Sequence, residues 1–187
     1  MFLAPIRETI DLTVGVTVGP VGAPISVVEF SDLSCGYSAA MFGKLERLRA
    51  DAEMGSNIRW TSIDLYSNAS GPEGQLASLA GRCGGAQGPA MELRKALFQG
   101  GMLATASKDR SALQAVAERV GLDAAEFLRC VDSHPWEAEL ARSVREARRV
   151  GVSETPTVFV NGRRLPRSAT LDAMHAMVKD ELNKLRR

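Results

Sequence analysis

Cysteine and histidine are scarce in this chain. Two histidines and three cysteines among 187 residues leave few ligands for a metal, and no two of them stand at zinc-finger spacing. Three cysteines are too few for the disulfide framework of a small secreted scaffold. In an oxidising compartment their odd number implies one pair and one free thiol. Neither sign of charge dominates: 23 Lys and Arg against 22 Asp and Glu leave a net charge of +1. That balance argues against a polybasic binder of nucleic acid or of an anionic membrane. No apolar run approaches the roughly 20 residues needed to span a bilayer. The opening Met1-Phe2-Leu3-Ala4-Pro5 has no basic segment followed by an apolar one. This predicts a cytoplasmic protein or a mature domain without its export signal.

The composition that remains, 45% hydrophobic and 24% charged, is that of an ordinary globular domain. It suffices for a core that needs no cross-links. Leu12, Val14, Val16 and Val18 alternate with polar or small residues and predict a half-buried strand ended by Gly19-Pro20. Ile25-Ser26-Val27-Val28-Glu29-Phe30 is a β-branched run suited to a sheet centre. Phe42, Leu45, Leu48 and Ala52 share a helical face that ends near Gly55, and Ile58 to Leu65 alternates again as a strand. The order predicts a β-α-β unit with a parallel pair and a right-handed crossover.

From about Gly74 to Val150 the signals are helical. Pro89 is placed to begin one helix and Pro135 another, with Trp136, Leu140, Val144 and Ala147 on its face. Asp123 and Glu126 stand at capping-box spacing before Phe127, Cys130 and Val131. The sheet pattern then returns. Thr157-Val158-Phe159-Val160 reads as a strand, Asn161-Gly162 as a hairpin turn and Arg163-Arg164-Leu165 as its return. Leu171, Met174, Val178, Leu182 and Leu185 mark a closing amphipathic helix. The expected division is therefore 1–73 and 151–187 as two parts of one α/β unit, with 74–150 as an inserted helical domain.

Cys35 falls between the buried strand and the first long helix. A thiol there faces unpaired N–H groups and the positive end of the helix dipole, which favour the thiolate. A buried, inert core cysteine is the alternative reading. The stretch Glu29-Phe30-Ser31-Asp32-Leu33-Ser34-Cys35-Gly36-Tyr37-Ser38 resembles the active site of the DsbA-like thiol–disulfide oxidoreductases. Gly151-Val152-Ser153-Glu154-Thr155-Pro156-Thr157-Val158-Phe159-Val160-Asn161-Gly162 resembles that family's loop with a cis-proline ahead of the hairpin strand. The resemblance implies a thioredoxin-like α/β fold with an inserted all-α domain, and it covers about residues 11 to 185.

It further implies disulfide exchange on cysteine-containing polypeptides, with a redox partner protein or glutathione as the other reactant and no bound cofactor. Cys35 is the implied nucleophile. Gly36, Tyr37, Thr155 and Pro156 are the implied substrate-binding residues, the backbone beside a cis Pro156 pairing with a substrate strand. The location it implies is periplasmic or otherwise extracytoplasmic. A single-chain state without a membrane span is the default.

Two departures stand out. Gly36 replaces the family's proline, and Ser38 stands where its second, resolving cysteine belongs. A serine hydroxyl forms no disulfide, so Cys35 would stay joined to its substrate until an external thiol releases it. An engineered mixed-disulfide trap, a natural single-thiol enzyme, and a redox-inactive peptide-binding module or chaperone all remain open. So does a weaker reading, a relative of the kappa-type glutathione transferases in which Ser38 serves the thiol.

Cys83 and Cys130, 47 positions apart, are either two buried reduced residues or a staple. Closing that loop is worth about 4 kcal/mol in the chain-entropy account. Resemblance favours the staple, since some DsbA-like proteins carry a non-catalytic disulfide in the helical domain. Asp32 is expected to cap or to turn away from Cys35. His134 and His175 are expected to be structural. The pairs Arg148-Arg149, Arg163-Arg164 and Arg186-Arg187 read as solvated surface, with a substrate- or glutathione-facing role for Arg163 or Arg164 as the alternative.

Overall fold

The computed structural model describes residues 6–66, 71–99 and 110–186. The opening Met1–Pro5 stretch read for an export signal lies outside them. A five-stranded mixed sheet runs in the order β1-β3-β2-β4-β5, from β1 (Val16–Val18), β2 (Ile25–Ser31), β3 (Ile58–Asp64), β4 (Thr157–Val160) and β5 (Arg163–Arg164). β2 and β3 are parallel, with Val28 opposite Thr61, while β1–β3, β2–β4 and β4–β5 are antiparallel. Among the described residues seven α-helices accompany them: α1 (Gly36–Arg49), α2 (Gly71–Gln87), α3 (Ala90–Phe98), α4 (Arg110–Arg119), α5 (Ala124–Ser133), α6 (Glu137–Arg149) and α7 (Leu171–Leu185). α1 joins the parallel pair, and α2 to α6 stand between β3 and β4.

Period-two alternation sorts the central strands onto two faces. Ile25 and Val27 of β2 with Ile58 and Trp60 of β3 pack under Phe42, Leu45 and Leu48 of α1 and Met174 and Val178 of α7. Val28, Phe30, Ile63 and Phe159 face the other way, onto Ala147 and Val150 at the end of α6. Phe30 and Phe159 meet edge to face at 6.0 Å between ring centroids. Both rings are fully buried, and truncating one such ring typically costs about 3–5 kcal/mol. A third core, of Leu93, Leu97, Leu113, Val116, Phe127 and Val131, holds the inserted helices together. α2 and α3 approach so closely that a Cβ at Gly84 would strike the Leu93 side chain.

The hairpin signal has its physical basis in view. Asn161 and Gly162 both have positive φ, 47° and 76°, as a turn matched to the strand twist requires. The Asn161 side chain also accepts the Ser26 N–H at 2.8 Å, tying the turn to β2.

Four boundaries differ from expectation. α1 ends at Arg49, so Ala52 lies beyond it. Leu12–Val14 is a 3-10 turn, not the start of a strand, because the Asp11 carboxylate accepts the Thr13 N–H and hydroxyl and winds the backbone there. Pro89 caps α3 from outside rather than opening it. α6 begins at Glu137, two residues after Pro135, with Trp136 at its N-cap packed on the helical core.

Candidate active site

Strand β2 ends at Ser31, and the chain turns through Asp32-Leu33-Ser34 into α1. The Asp32 carboxylate accepts the Ser34 N–H at 2.8 Å and its hydroxyl at 2.6 Å. The Cys35 N–H donates to the Asp32 carbonyl at 2.9 Å. This local turn commits Asp32 to shaping the loop and delivers Cys35 to the N-cap of α1. Its side chain caps nothing and is partly exposed. Cys35 Sγ lies 4.0 Å from the Thr155 carbonyl oxygen, 120 positions away. The Thr155-Pro156 peptide bond is cis. Cys35 is the one free thiol, because Cys83 on α2 and Cys130 on α5 form a disulfide with Cα atoms 5.8 Å apart.

The other residues named from the sequence take different stations. Nothing beyond its chain neighbours lies within 4 Å of a Cβ built on Gly36. Tyr37 is 70% exposed, and the Arg167 guanidinium lies over its ring, 5.6 Å from the centroid. Ser38 is fully buried, and its hydroxyl accepts the Asp32 N–H at 3.2 Å. His134 sits at the C-cap of α5 beside Glu137, and His175 lies 3.9 Å from Asp51. Neither is brought to Cys35. Arg163 is held by Asp180 and Glu181 at 2.7 and 2.8 Å. Arg164 donates to the Val150 and Gly151 carbonyls and lies over Phe159. Both arginines thus have partners within the fold.

Two hollows are lined by residues next to the thiol's loop and the cis-proline. One, of about 500 Å³, is lined by Tyr37, Met41 and Lys44 of α1 together with Pro156 and Arg167. The other, of about 1040 Å³, is lined by Tyr66, Arg145 and Arg148 together with Asp32, Ser153 and Thr155. Among the described residues no group of three His, Cys, Asp or Glu side chains could hold a metal ion, and no helix is long and apolar enough to cross a membrane.

A buried charge cluster escaped the reading of the sequence. Glu29 within β2 and Asp64 at the end of β3 are fully buried. Arg94 of α3 pairs with Asp64 at 2.7 Å, and Arg82 of α2 stands 3.7 Å from it. Burial pushes the Glu29 carboxyl up to about 7, and the positive charge of Arg94 opposes that shift without cancelling it. The available signal was a lone glutamate inside a β-branched run.

The thioredoxin family model matches residues 12–180. Among curated proteins, the chain is 34% identical over 161 residues to Na(+)/H(+) antiporter NhaA 1 of Salinispora arenicola, covering 86% of this chain and 24% of that protein. It is 30% identical over 147 residues to the NhaA antiporter of Herminiimonas arsenicoxydans, covering 79% and 22%. The chain thus spans about a quarter of the length of these curated relatives. Among solved structures, oxidised BdbD from Bacillus subtilis superposes with a TM-score of 0.80 at 16% identity, covering 96% of this chain and 98% of that one. The reduced form of DsbG from Mycobacterium tuberculosis gives 0.67 at 20% identity, covering 90% and 87%. These likenesses establish the expected fold, thioredoxin-like α/β with inserted helices.

Proposed function

This chain belongs to the thioredoxin family, and from that premise we propose that it exchanges thiols and disulfides on cysteine-containing polypeptides through Cys35 alone. The carrying observation is the placement of the one free thiol at the N-cap of α1, facing the Thr155 carbonyl ahead of the cis Pro156. Solved proteins that share the fold are named as thiol–disulfide oxidoreductases, among them MdbA of Actinomyces oris.

The Cys35 thiolate attacks a substrate disulfide, forms a mixed disulfide and expels one substrate thiolate. A substrate strand lies along the backbone of Thr155, with Pro156 and Tyr37 forming the wall beside it. Ser38 is buried and offers no second thiol, so an external thiol completes the turnover. Glutathione or a redox partner protein fills that role, and no bound cofactor is needed. A kappa-type glutathione transferase reading would need Ser38 open to the thiol, and its burial speaks against that. The Cys83–Cys130 disulfide favours work outside the cytoplasm.

The test is incubation with a peptide disulfide followed by mass spectrometry of the intact protein. A mixed disulfide on Cys35 is expected, and none in Cys35→Ala. Peptide binding that survives Cys35→Ala, with no adduct on the unaltered protein, would establish the redox-inactive binding module instead.

A further inference from the structure

We infer that the larger hollow beside Cys35 seats the thiol that releases the substrate, and that Arg145 and Arg148 hold this thiol by its carboxylates. The inference rests on the single-thiol exchange proposed above. It names the class of reductant: a low-molecular-weight thiol bearing carboxylates, for which glutathione is the probe.

Geometry is the first argument. Displacement at sulfur runs in line, so the attacking, central and departing sulfurs are nearly collinear. Attack on Cys35 Sγ therefore needs open space across from the departing polypeptide sulfur. The smaller hollow lies on the α1 side of the sheet, lined by Tyr37, Met41 and Lys44. The larger lies on the opposite side, where α6 covers Val28, Phe30 and Ile63. Its lining includes Thr155, whose carbonyl oxygen is 4.0 Å from Cys35 Sγ. Its volume of about 1040 Å³ is just above the range of roughly 300–1,000 Å³ usual for small-molecule sites.

Charge is the second argument. Arg145 and Arg148 stand one turn apart on α6 and both line this hollow. Arg142 and Arg149 on the same helix are paired with Asp11 at 3.1 Å and with Glu146 at 2.6 Å. Arg145 and Arg148 have no ion pair or side-chain hydrogen bond among the described residues. Two carboxylates also line the hollow. Glu154 is neutralised by Arg167 at 2.7 Å. Asp32 is 5% exposed, with its Oδ1 engaged by Ser34. The hollow thus presents two uncommitted guanidiniums, a match for the carboxylates of a small anionic thiol.

The chemistry balances. Cys35–S–S–polypeptide plus one small thiolate gives Cys35–S–S–R and the polypeptide thiolate. A second small thiolate then gives the Cys35 thiolate and the disulfide RSSR. The polypeptide disulfide is reduced by two electrons, and two small thiols are oxidised to one disulfide.

The test begins from Cys35 joined to a fluorescent cysteinyl peptide. Release is followed against glutathione, glutathione diethyl ester and 2-mercaptoethanol, in the unaltered protein and in Arg145→Glu/Arg148→Glu. Release by glutathione should saturate, and should fall about tenfold or more in the double variant. Release by 2-mercaptoethanol should move less than twofold, and the diethyl ester should behave like 2-mercaptoethanol. Calorimetry with S-methylglutathione, which cannot react, reads the site without the exchange chemistry. Binding is expected in the unaltered protein and loss of binding in the double variant. Release rates linear in glutathione and equal in the two proteins, with no S-methylglutathione binding, would overturn the inference while leaving exchange through Cys35 standing. Failure to form the peptide adduct, with S-methylglutathione still bound through the arginines, would refute the exchange reading and leave the anionic-thiol site in place.

Discussion

Replacing Glu29 by Gln should change how stability depends on pH. Glu29 is fully buried on the central strand, and burial raises its carboxyl from 4.5 to about 7. A carboxyl whose folded value exceeds its unfolded value binds its proton more tightly in the native state. Its contribution is fully present below about 4.5 and is lost as pH rises through 7. The rise from 4.5 to about 7, at about 1.36 kcal/mol per pH unit, corresponds to about 3 kcal/mol in all. Most of the loss falls between pH 4.5 and 7, and the curve flattens above that.

Urea unfolding at half-unit steps from pH 5 to 8, with the Cys83–Cys130 disulfide intact, measures this directly. The unaltered protein should lose about 2–3 kcal/mol across the range. Glu29→Gln is uncharged throughout and should remain level, whatever constant offset its amide introduces. Parallel curves for the two proteins would show that Glu29 titrates normally, and the account of the buried cluster would be wrong.

Arg94→Leu should be the most damaging change in that cluster, since it leaves Asp64 buried without its partner at 2.7 Å; a loss of about 3–5 kcal/mol is expected in urea unfolding at pH 7. Glu181 works in the opposite pH window. Its burial opposes ionisation, but hydrogen bonds from Arg7, Arg163 and Lys184 prevail and hold its carboxyl down to about 2. Its stabilisation is therefore present above about 4.5 and lost as pH falls towards 2, and Glu181→Gln should flatten thermal melts below pH 4.5 while leaving the slope between 5 and 8 intact. Ser38→Cys should convert the site to a dithiol. The mixed disulfide on Cys35 should then release at least tenfold faster without added thiol, as seen by gel under quenched conditions; an unchanged lifetime would mean that the buried position cannot reach Cys35.

Much of the scaffold was legible because backbone preference is local. The β-branched run at Ile25 to Phe30, the alternation at Ile58 to Leu65 and the Asn161-Gly162 turn each state a backbone geometry in their own residues. Each is found where expected, as β2, β3 and the β4–β5 turn. Cys35 at a strand-to-helix junction was legible for the same reason, as was a proline poised before β4. Where local cues competed, boundaries moved: Asp11 turned Leu12–Val14 into a 3-10 turn although its residues alternate like a strand.

The amino-acid sequence by itself determined the elements, their order and the chemistry available: one unmatched thiol, no resolving cysteine, and a Thr-Pro peptide bond. The tertiary structure decided which of these groups meet. Cys83 finds Cys130 because α2 and α5 pack in one core. Glu29, Asp64, Arg82 and Arg94 lie on four different elements, and their burial depends on what covers the strand ends. The two hollows exist because α1 and α6 lie on opposite faces of the sheet, and Cys35 follows its central strand. Local propensity reports a residue's own backbone and the face on which it lies. Burial, charge pairing and access to a thiol depend on atoms brought together from distant parts of the chain.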